Sequence, residues 1–124
     1  MTEIPILHLV NVIVDSSNGR IVQRLVAHLG SQCYRWHIGG VRGLVGDLPD
    51  ELDRLGGHVV DLSDHQKGYR HLAKKIRAYV NAHGIRIVHT HSARTRLIAA
   101  MALVAKRGVS HLATEHHLYT PHDR

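Results

Sequence analysis

The chain has little aromatic character and almost no cysteine: Cys33 is its one cysteine, and phenylalanine is absent from its 124 residues. A single cysteine excludes an intrachain disulfide and is typical of a reducing compartment. Aromatic residues make up 4% of the chain and hydrophobic residues 44%, so the core must be mostly aliphatic. No apolar run is long enough to cross a bilayer, and the first residues lack the basic region of a signal peptide. We therefore predict a cytoplasmic protein, with peripheral contact at the inner membrane face as an open alternative.

Acidic residues are also few relative to basic ones. Sixteen Lys and Arg against ten Asp and Glu give a formal net charge of +6, which favours phosphates, nucleotides or anionic lipid surfaces as partners. There is no aromatic stacking set and no DNA-binding motif, so we predict no nucleic-acid partner. One predicted helix has a basic outer face, which suits either anionic lipid headgroups or solvent. Its basic residues are Lys67, Arg70, His71, Lys74, Lys75 and Arg77.

The length fits one domain with a real core, and apolar strands alternate with helical segments along it. Apolar residues at helical spacing, followed by glycine, mark the helices. Helices between successive strands imply right-handed crossovers and a parallel sheet. We predict an α/β, Rossmann-like doubly wound parallel sheet with helices on both faces. The strands are expected at residues 6–10, 34–41, 58–62, 86–89 and 109–114, the first extending to 14 as an option, and the helices at 20–29, 49–55, 67–83 and 94–107.

Polar side chains follow the fourth predicted strand, in the run His89-Thr90-His91-Ser92. The carboxyl ends of strands form the edge where open α/β sheets bind ligands. His91 lies nearest that edge and is a candidate for binding a sugar hydroxyl or a phosphate. His89 is expected to be a core histidine with a hydrogen-bond partner. Ser92 suits either an N-cap of the next helix or a ligand contact.

The fifth predicted strand ends in a second polar run, Thr114-Glu115-His116-His117. Imidazole titrates near neutral pH, so a histidine here can exchange protons with a ligand hydroxyl. Glu115 is placed to orient that imidazole. The alternative is a surface histidine in a histidine-rich chain.

The turn after the first strand, Ser16-Ser17-Asn18-Gly19, precedes a predicted helix. It offers free backbone N–H groups and the positive end of a helix dipole to a phosphate, although ordinary turn chemistry requires the same residue types. Neither GxGxxG nor a Walker A lysine is present. The 13 histidines raise the question of a metal, but there is no HExxH, no cysteine cluster and no close carboxylate pair, so we predict none.

Several of these segments, taken in order, resemble the N-terminal domain of family-four GT-B glycosyltransferases. The similarity spans nearly the whole chain, and its most specific parts are the two strand ends that carry histidine. The segments are Ile6-Leu7-His8-Leu9-Val10, Leu55-Gly56-Gly57-His58-Val59-Val60-Asp61-Leu62, Ile87-Val88-His89-Thr90-His91-Ser92 and Ala113-Thr114-Glu115-His116.

The resemblance implies retaining transfer of a sugar from a nucleotide-sugar donor to a glycan, lipid or small-molecule acceptor, with no metal and no other cofactor. It places His116 close to the reacting sugar, as the candidate catalytic residue. It places His91 and Ser92, with Glu115 beside His116, on the acceptor side. The family's Gly-Gly pair at the donor phosphates aligns with either Asn18-Gly19 or Ser16-Ser17, so Ser17, Asn18 and Gly19 form the expected phosphate loop.

The family's second Rossmann-like domain, which supplies most nucleotide contacts, is missing from these residues. We therefore expect residues 1–124 to be a single glycosyltransferase N-terminal domain, truncated before the donor-binding domain that would be its partner. Such a chain is expected to expose a strand edge or an apolar patch and to lack activity alone. The alternative is a non-catalytic Rossmann-like module that binds a phosphorylated ligand or an anionic membrane surface.

Overall fold

The fold is an open, twisted α/β sandwich, seen in a computed structural model that describes residues 3–13, 17–29, 34–63 and 68–114. Its parallel strands lie in the order β3-β2-β1-β4-β5, which confirms the predicted Rossmann-like doubly wound sheet. The elements are β1 (Ile4–Val10), α1 (Ser17–Leu29), β2 (Tyr34–Gly40), α2 (Leu48–Arg54), β3 (His58–Asp61), α3 (Tyr69–His83), β4 (Ile87–Thr90), α4 (Ala93–Ala102) and β5 (Ser110–Ala113).

Two aliphatic cores lie on the two faces of the sheet, as alternation along each strand requires. On β1, Leu7 and Leu9 pack against the core beneath α3 and α4. Ile6 and Val10 point to the other core, beneath α1 and α2. Trp36 is the one aromatic residue among the buried members of either core, so the predicted aliphatic interior is confirmed.

Several element boundaries differ from the sequence prediction. Helix α1 begins at Ser17 instead of residue 20. Helix α4 ends at Ala102 instead of residue 107, because the chain turns through Ala105, which has a positive φ of 57°. The guanidinium of Arg77 on α3 donates to the carbonyl oxygens of Ala102 and Val104 at 2.9 and 3.0 Å. A cation at the carboxyl end of a helix satisfies its last carbonyl groups, so this contact favours the early end.

The optional extension of the first predicted strand to residue 14 is wrong. Strand β1 ends at Val10, and only Ile13 beyond it makes an isolated bridge, to Leu44. Helix α3 ends as predicted, since Gly84 adopts the left-handed conformation with a φ of 61°. Glycine adopts this conformation without the steric cost that a Cβ atom brings.

Part of the basic face of α3 is used within the fold. Lys75 Nζ donates to the carbonyl oxygen of Ser63 at 2.7 Å, and Arg77 is bonded to the end of α4. Arg70, His71 and Lys74 are exposed. Among the described helices, none combines the length and the apolar character needed to span a bilayer.

Strand β5 is an exposed edge of the sheet. All four of its residues are exposed, and Leu112 has 53% of its surface accessible. Val104, after α4, is 66% exposed. The predicted exposed strand edge is therefore present in the described part of the chain.

Gly40 is where the end of β2 passes closest to the following loop. A Cβ atom at Gly40 would overlap the backbone carbonyl oxygen of Gly43, whereas one at Gly39 would meet Leu62 Cδ1 at 2.6 Å. A leucine methyl group can rotate away more easily than a backbone group can move.

We predict that Gly40→Ala lowers the free energy of unfolding by about 1–3 kcal/mol and that Gly39→Ala lowers it by less. Urea denaturation measures both. Equal losses in the two variants would contradict the backbone clash.

Candidate functional site

The candidate site lies where β1 and β4 pair. These neighbouring strands lead into helices on opposite faces, because α1 packs in one core and α4 in the other. The point at which a doubly wound sheet changes direction opens a crevice at the carboxyl ends of its strands, and ligands bind there. The backbone N–H of His91 donates to the carbonyl oxygen of Leu9 at 3.2 Å, which continues the β1–β4 pairing to this edge.

Three buried histidines meet at this pairing, and we call His8, His89 and His91 the histidine cluster. His8 lies directly opposite His89 in the parallel register, and His91 follows two residues later. His8 Nδ1 and His91 Nε2 are 2.9 Å apart. The ring of His89 is 5.0 Å from that of His8 and 4.2 Å from that of His91. The exposed fractions are 1% for His8, 9% for His89 and 1% for His91.

His8 is held in its neutral form. Burial lowers the pKa of His8 well below its usual value, and the neighbouring His91 and His89 lower it further, because a second positive charge nearby is unfavourable. The 2.9 Å contact between His8 Nδ1 and His91 Nε2 is a hydrogen bond in which one ring donates N–H and the other accepts. Neutral imidazoles can exchange protons, bind hydroxyl groups or ligate a metal.

Neighbouring side chains fix the cluster. His8 stacks on Trp36 with ring centroids 5.4 Å apart. His89 Nε2 lies 2.5 Å from Thr114 Oγ1, which confirms the predicted partnered core histidine. Among the described residues, His8 Nε2 has no hydrogen-bond partner.

A small apolar cavity of about 230 Å³ lies beside the cluster. His8 and His89 form part of its wall, and the other lining residues are aliphatic or aromatic. The cavity is on the α1 face of the sheet, since Leu25 of that helix contributes to it. Its complete lining is Ile6, His8, Leu25, Tyr34, Trp36, Ile87, His89 and Leu112.

Ser92 begins α4 through a capping box. Its Oγ accepts from the backbone N–H of Thr95 at 3.2 Å, and Thr95 Oγ1 accepts from the backbone N–H of Ser92 at 3.1 Å. The structural alternative for Ser92 is thus confirmed. A role of Ser92 or of the buried His91 in holding an acceptor stays a prediction.

The remaining sequence-predicted residues are only partly within the described structure. Ser17, Asn18 and Gly19 form the first turn of α1, after the carboxyl end of β1, and that turn contains no acidic residue. Their side chains lie outside the described structure, as do Glu115 and His116 altogether. The phosphate loop and the catalytic histidine therefore stay predictions.

Sequence reasoning missed His8, which it treated as part of an apolar strand. Two signals pointed to it: His8 interrupts a run of aliphatic residues, and a doubly wound sheet places its first strand beside its fourth. The register that sets His8 opposite His89 has no local sequence signature.

A second group of histidines lies on the opposite face, toward α3. His37 Nδ1 is 2.6 Å from the hydroxyl oxygen of Tyr79, and the rings of His58 and His83 are 5.3 and 5.2 Å from that of His37. Burial, followed by the charges of His58, His83 and Arg35, lowers the pKa of His37 to about 4. Burial also raises the pKa of Tyr79 to about 12.

The fold has a counterpart among solved structures. A glycosyltransferase from Rickettsia africae ESF-5 matches with a TM-score of 0.73 at 22% sequence identity. The two proteins share a fold. The match covers 97% of this chain and 31% of the glycosyltransferase, so this chain spans about a third of that protein's length. No protein-family model and no curated protein matches this sequence.

Removing the Ser92 hydroxyl tests its capping role. We predict that Ser92→Ala lowers the free energy of unfolding by about 1 kcal/mol, the usual cost of losing an N-cap. Ser110→Ala, at an exposed position of β5, serves as the control and should change stability by less than about 0.5 kcal/mol. Thermal denaturation of both variants measures the difference. Equal stability of Ser92→Ala and Ser110→Ala would contradict the capping role of Ser92.

His37 makes stability depend on pH in a defined direction. Its pKa is about 4 in the folded chain against 6.5 for an unperturbed histidine, so between these values the unfolded chain binds a proton that the folded chain does not. Stability therefore rises with pH across this window and is lost as pH falls through it. We predict that His37→Gln reduces the slope of unfolding free energy against pH by up to about one proton, measured by urea denaturation. The exposed His71→Gln should leave the slope unchanged, and an unaltered slope in His37→Gln would contradict the shifted pKa.

Proposed function

We propose that this chain is the acceptor-side portion of a retaining GT-B glycosyltransferase, which moves a sugar from a nucleotide-sugar donor to a glycan, lipid or small-molecule acceptor. The observation that carries the proposal is the match of 97% of the chain to a glycosyltransferase fold. The switch point between β1 and β4 supplies the crevice where such a fold binds ligands.

In this reaction the bond between the anomeric carbon of the sugar and the donor phosphate breaks, and a bond to the acceptor hydroxyl oxygen forms. The nucleotide leaves with the electron pair of the broken bond, and the proton of the acceptor hydroxyl passes to an oxygen of the departing phosphate. His116 would lie close to the reacting sugar, with Glu115 beside it. The mechanism asks for no metal.

The donor phosphates would meet the first turn of α1 at Ser17, Asn18 and Gly19. The N–H groups of a first helical turn carry partial positive charge, and no acidic residue in that turn offsets it. The net charge of +6 also favours an anionic donor.

The acceptor would lie against the edge formed by His91 and Ser92. Because Ser92 caps α4, its contribution is to fix where that helix begins. His91 is bonded to His8, so it binds an acceptor hydroxyl only by exchanging that hydrogen bond for a new one. Such an exchange keeps the buried nitrogen satisfied.

The second function, a module for anionic membranes, rests on the basic face of α3. Lys75 and Arg77 are already engaged within the fold, which leaves a smaller cationic surface around Arg70 and Lys74. This distribution favours the glycosyltransferase proposal, and membrane binding is one outcome of the first experiment.

Calorimetry on the 124-residue chain separates the two functions. As an acceptor-side portion it should show no saturable binding of nucleotide-sugars, because the resemblance places most nucleotide contacts in the second domain, and no binding of acidic phosphatidylserine vesicles. Saturable vesicle binding that is lost in the double variant Arg70→Gln/Lys74→Gln would favour the membrane module. Tight binding of nucleotide-sugars by the chain alone would contradict the proposal that a second domain supplies most nucleotide contacts.

His116 is tested in a protein that also carries the donor-binding domain. We predict that His116→Ala lowers turnover by at least about tenfold, the lower range for losing a group that exchanges or positions a proton, while circular dichroism stays unchanged. His117→Ala is the matched control, since it removes the adjacent imidazole. Equal turnover in the two variants would exclude His116 from the reaction.

A further inference from the structure

We propose that the histidine cluster of His8, His89 and His91 is a binding site for a divalent transition-metal ion of the zinc type. This proposal goes beyond sugar transfer and does not depend on it. With an ion bound, the ring nitrogen of His91 would hold the ion and not an acceptor hydroxyl. Each histidine offers one ring nitrogen, and the three nitrogens lie within 4.8 Å of one another. Three imidazoles form a ligand set that zinc uses in proteins.

The distances require only small movements. Zinc binds imidazole nitrogen at about 2.0–2.1 Å, so nitrogens around a tetrahedral ion lie about 3.3 Å apart. The distance between His8 Nδ1 and His91 Nε2, 2.9 Å, would increase slightly. The largest nitrogen–nitrogen distance in the cluster is no more than 4.8 Å, and it would decrease. The rings of His89 and His91 are inclined by 28° and stacked, so one of them must turn about its χ2 angle. That torsion has broad energy wells.

Backbone pairing holds the ligands in place. His8 and His89 are direct partners in the β1–β4 register, and the backbone N–H of His91 is anchored on β1 at Leu9. Metal ligands on rigid strands are positioned more accurately than ligands on loops. An ion bound here would join β1 to β4 and stabilise the switch point.

The surroundings suit a metal in two further respects. Metal-bound histidines usually bond a second group through their other nitrogen. Thr114 Oγ1 contacts His89 Nε2, so this contact would be kept if His89 Nδ1 binds the ion. The cavity beside His8 and His89 gives room for a water molecule or an anionic ligand group in the fourth position. Such a fourth ligand would complete the tetrahedron and offset part of the charge of the ion.

A metal motif within one segment would not include these ligands, because they come from two distant parts of the chain. His89 and His91 lie 81 and 83 residues after His8. The second histidine group is different, because His58 and His83 are exposed. Those exposed histidines make a control for loose binding to surface imidazoles.

The test is a titration of the metal-free 124-residue chain with Co²⁺, followed by competition with Zn²⁺. We expect one Co²⁺ per chain, with the intense visible absorption of a tetrahedral site and displacement by one Zn²⁺. His91→Gln should weaken binding by at least about tenfold, a loss no smaller than that caused by changing an outer contact. The double variant His58→Gln/His83→Gln should bind as the original chain does. Equal binding by His91→Gln, or loss of binding in the double variant, would overturn the proposal.

X-ray absorption at the zinc edge keeps the test independent of variants that fold poorly. In the unaltered chain with one equivalent of Zn²⁺, we expect three imidazole nitrogens and one oxygen around the ion at about 2.0–2.1 Å. Fewer than three imidazoles, or an octahedral shell of oxygen atoms, would contradict the site and indicate surface binding.

Discussion

The pairing of β1 with β4 is the constraint on which the rest of this structure depends. It makes the two strands neighbours although β2 and β3 separate them in sequence, and it creates the switch point where helices change face. The same pairing sets His8 opposite His89 and anchors His91 on Leu9. The fold and the candidate site therefore depend on the same strand pairing, and a change in its register would disrupt both.

Burying three imidazoles at this point is costly unless their polar atoms find partners. The structure meets most of that requirement inside the cluster and at Thr114, while stacking on Trp36 covers one face of His8. His8 Nε2 is left without a partner among the described residues, and His8 also lines the adjacent cavity. An aliphatic side chain at position 8 would avoid these polar groups, and the proposed binding of an ion would give the ring nitrogens of the cluster a use.

Much of the fold was predictable because its signals are local. Apolar periodicity and the glycine after α3 predict the elements, and Ser92 begins α4 as an N-cap residue does. The early end of α4 was not predictable, since it depends on Arg77 reaching across from α3. His8 was missed for a related reason: its importance comes from a strand that is distant in sequence. The histidines of the fourth strand were found, but their burial and mutual bonding depend on a register that only the three-dimensional structure gives.

His8 and His91 join the ends of β1 and β4 at the switch point through a 2.9 Å hydrogen bond between their rings, and burial keeps His8 neutral. Long-range ¹H–¹⁵N correlation spectra of the metal-free chain at neutral pH test it most directly, because ring-nitrogen shifts report both protonation and hydrogen bonding. We predict that His8 is neutral and that its Nδ1 shares one hydrogen bond with Nε2 of His91. An imidazolium signal from His8, or ring-nitrogen shifts that show no hydrogen bond between these two nitrogens, would contradict this structure.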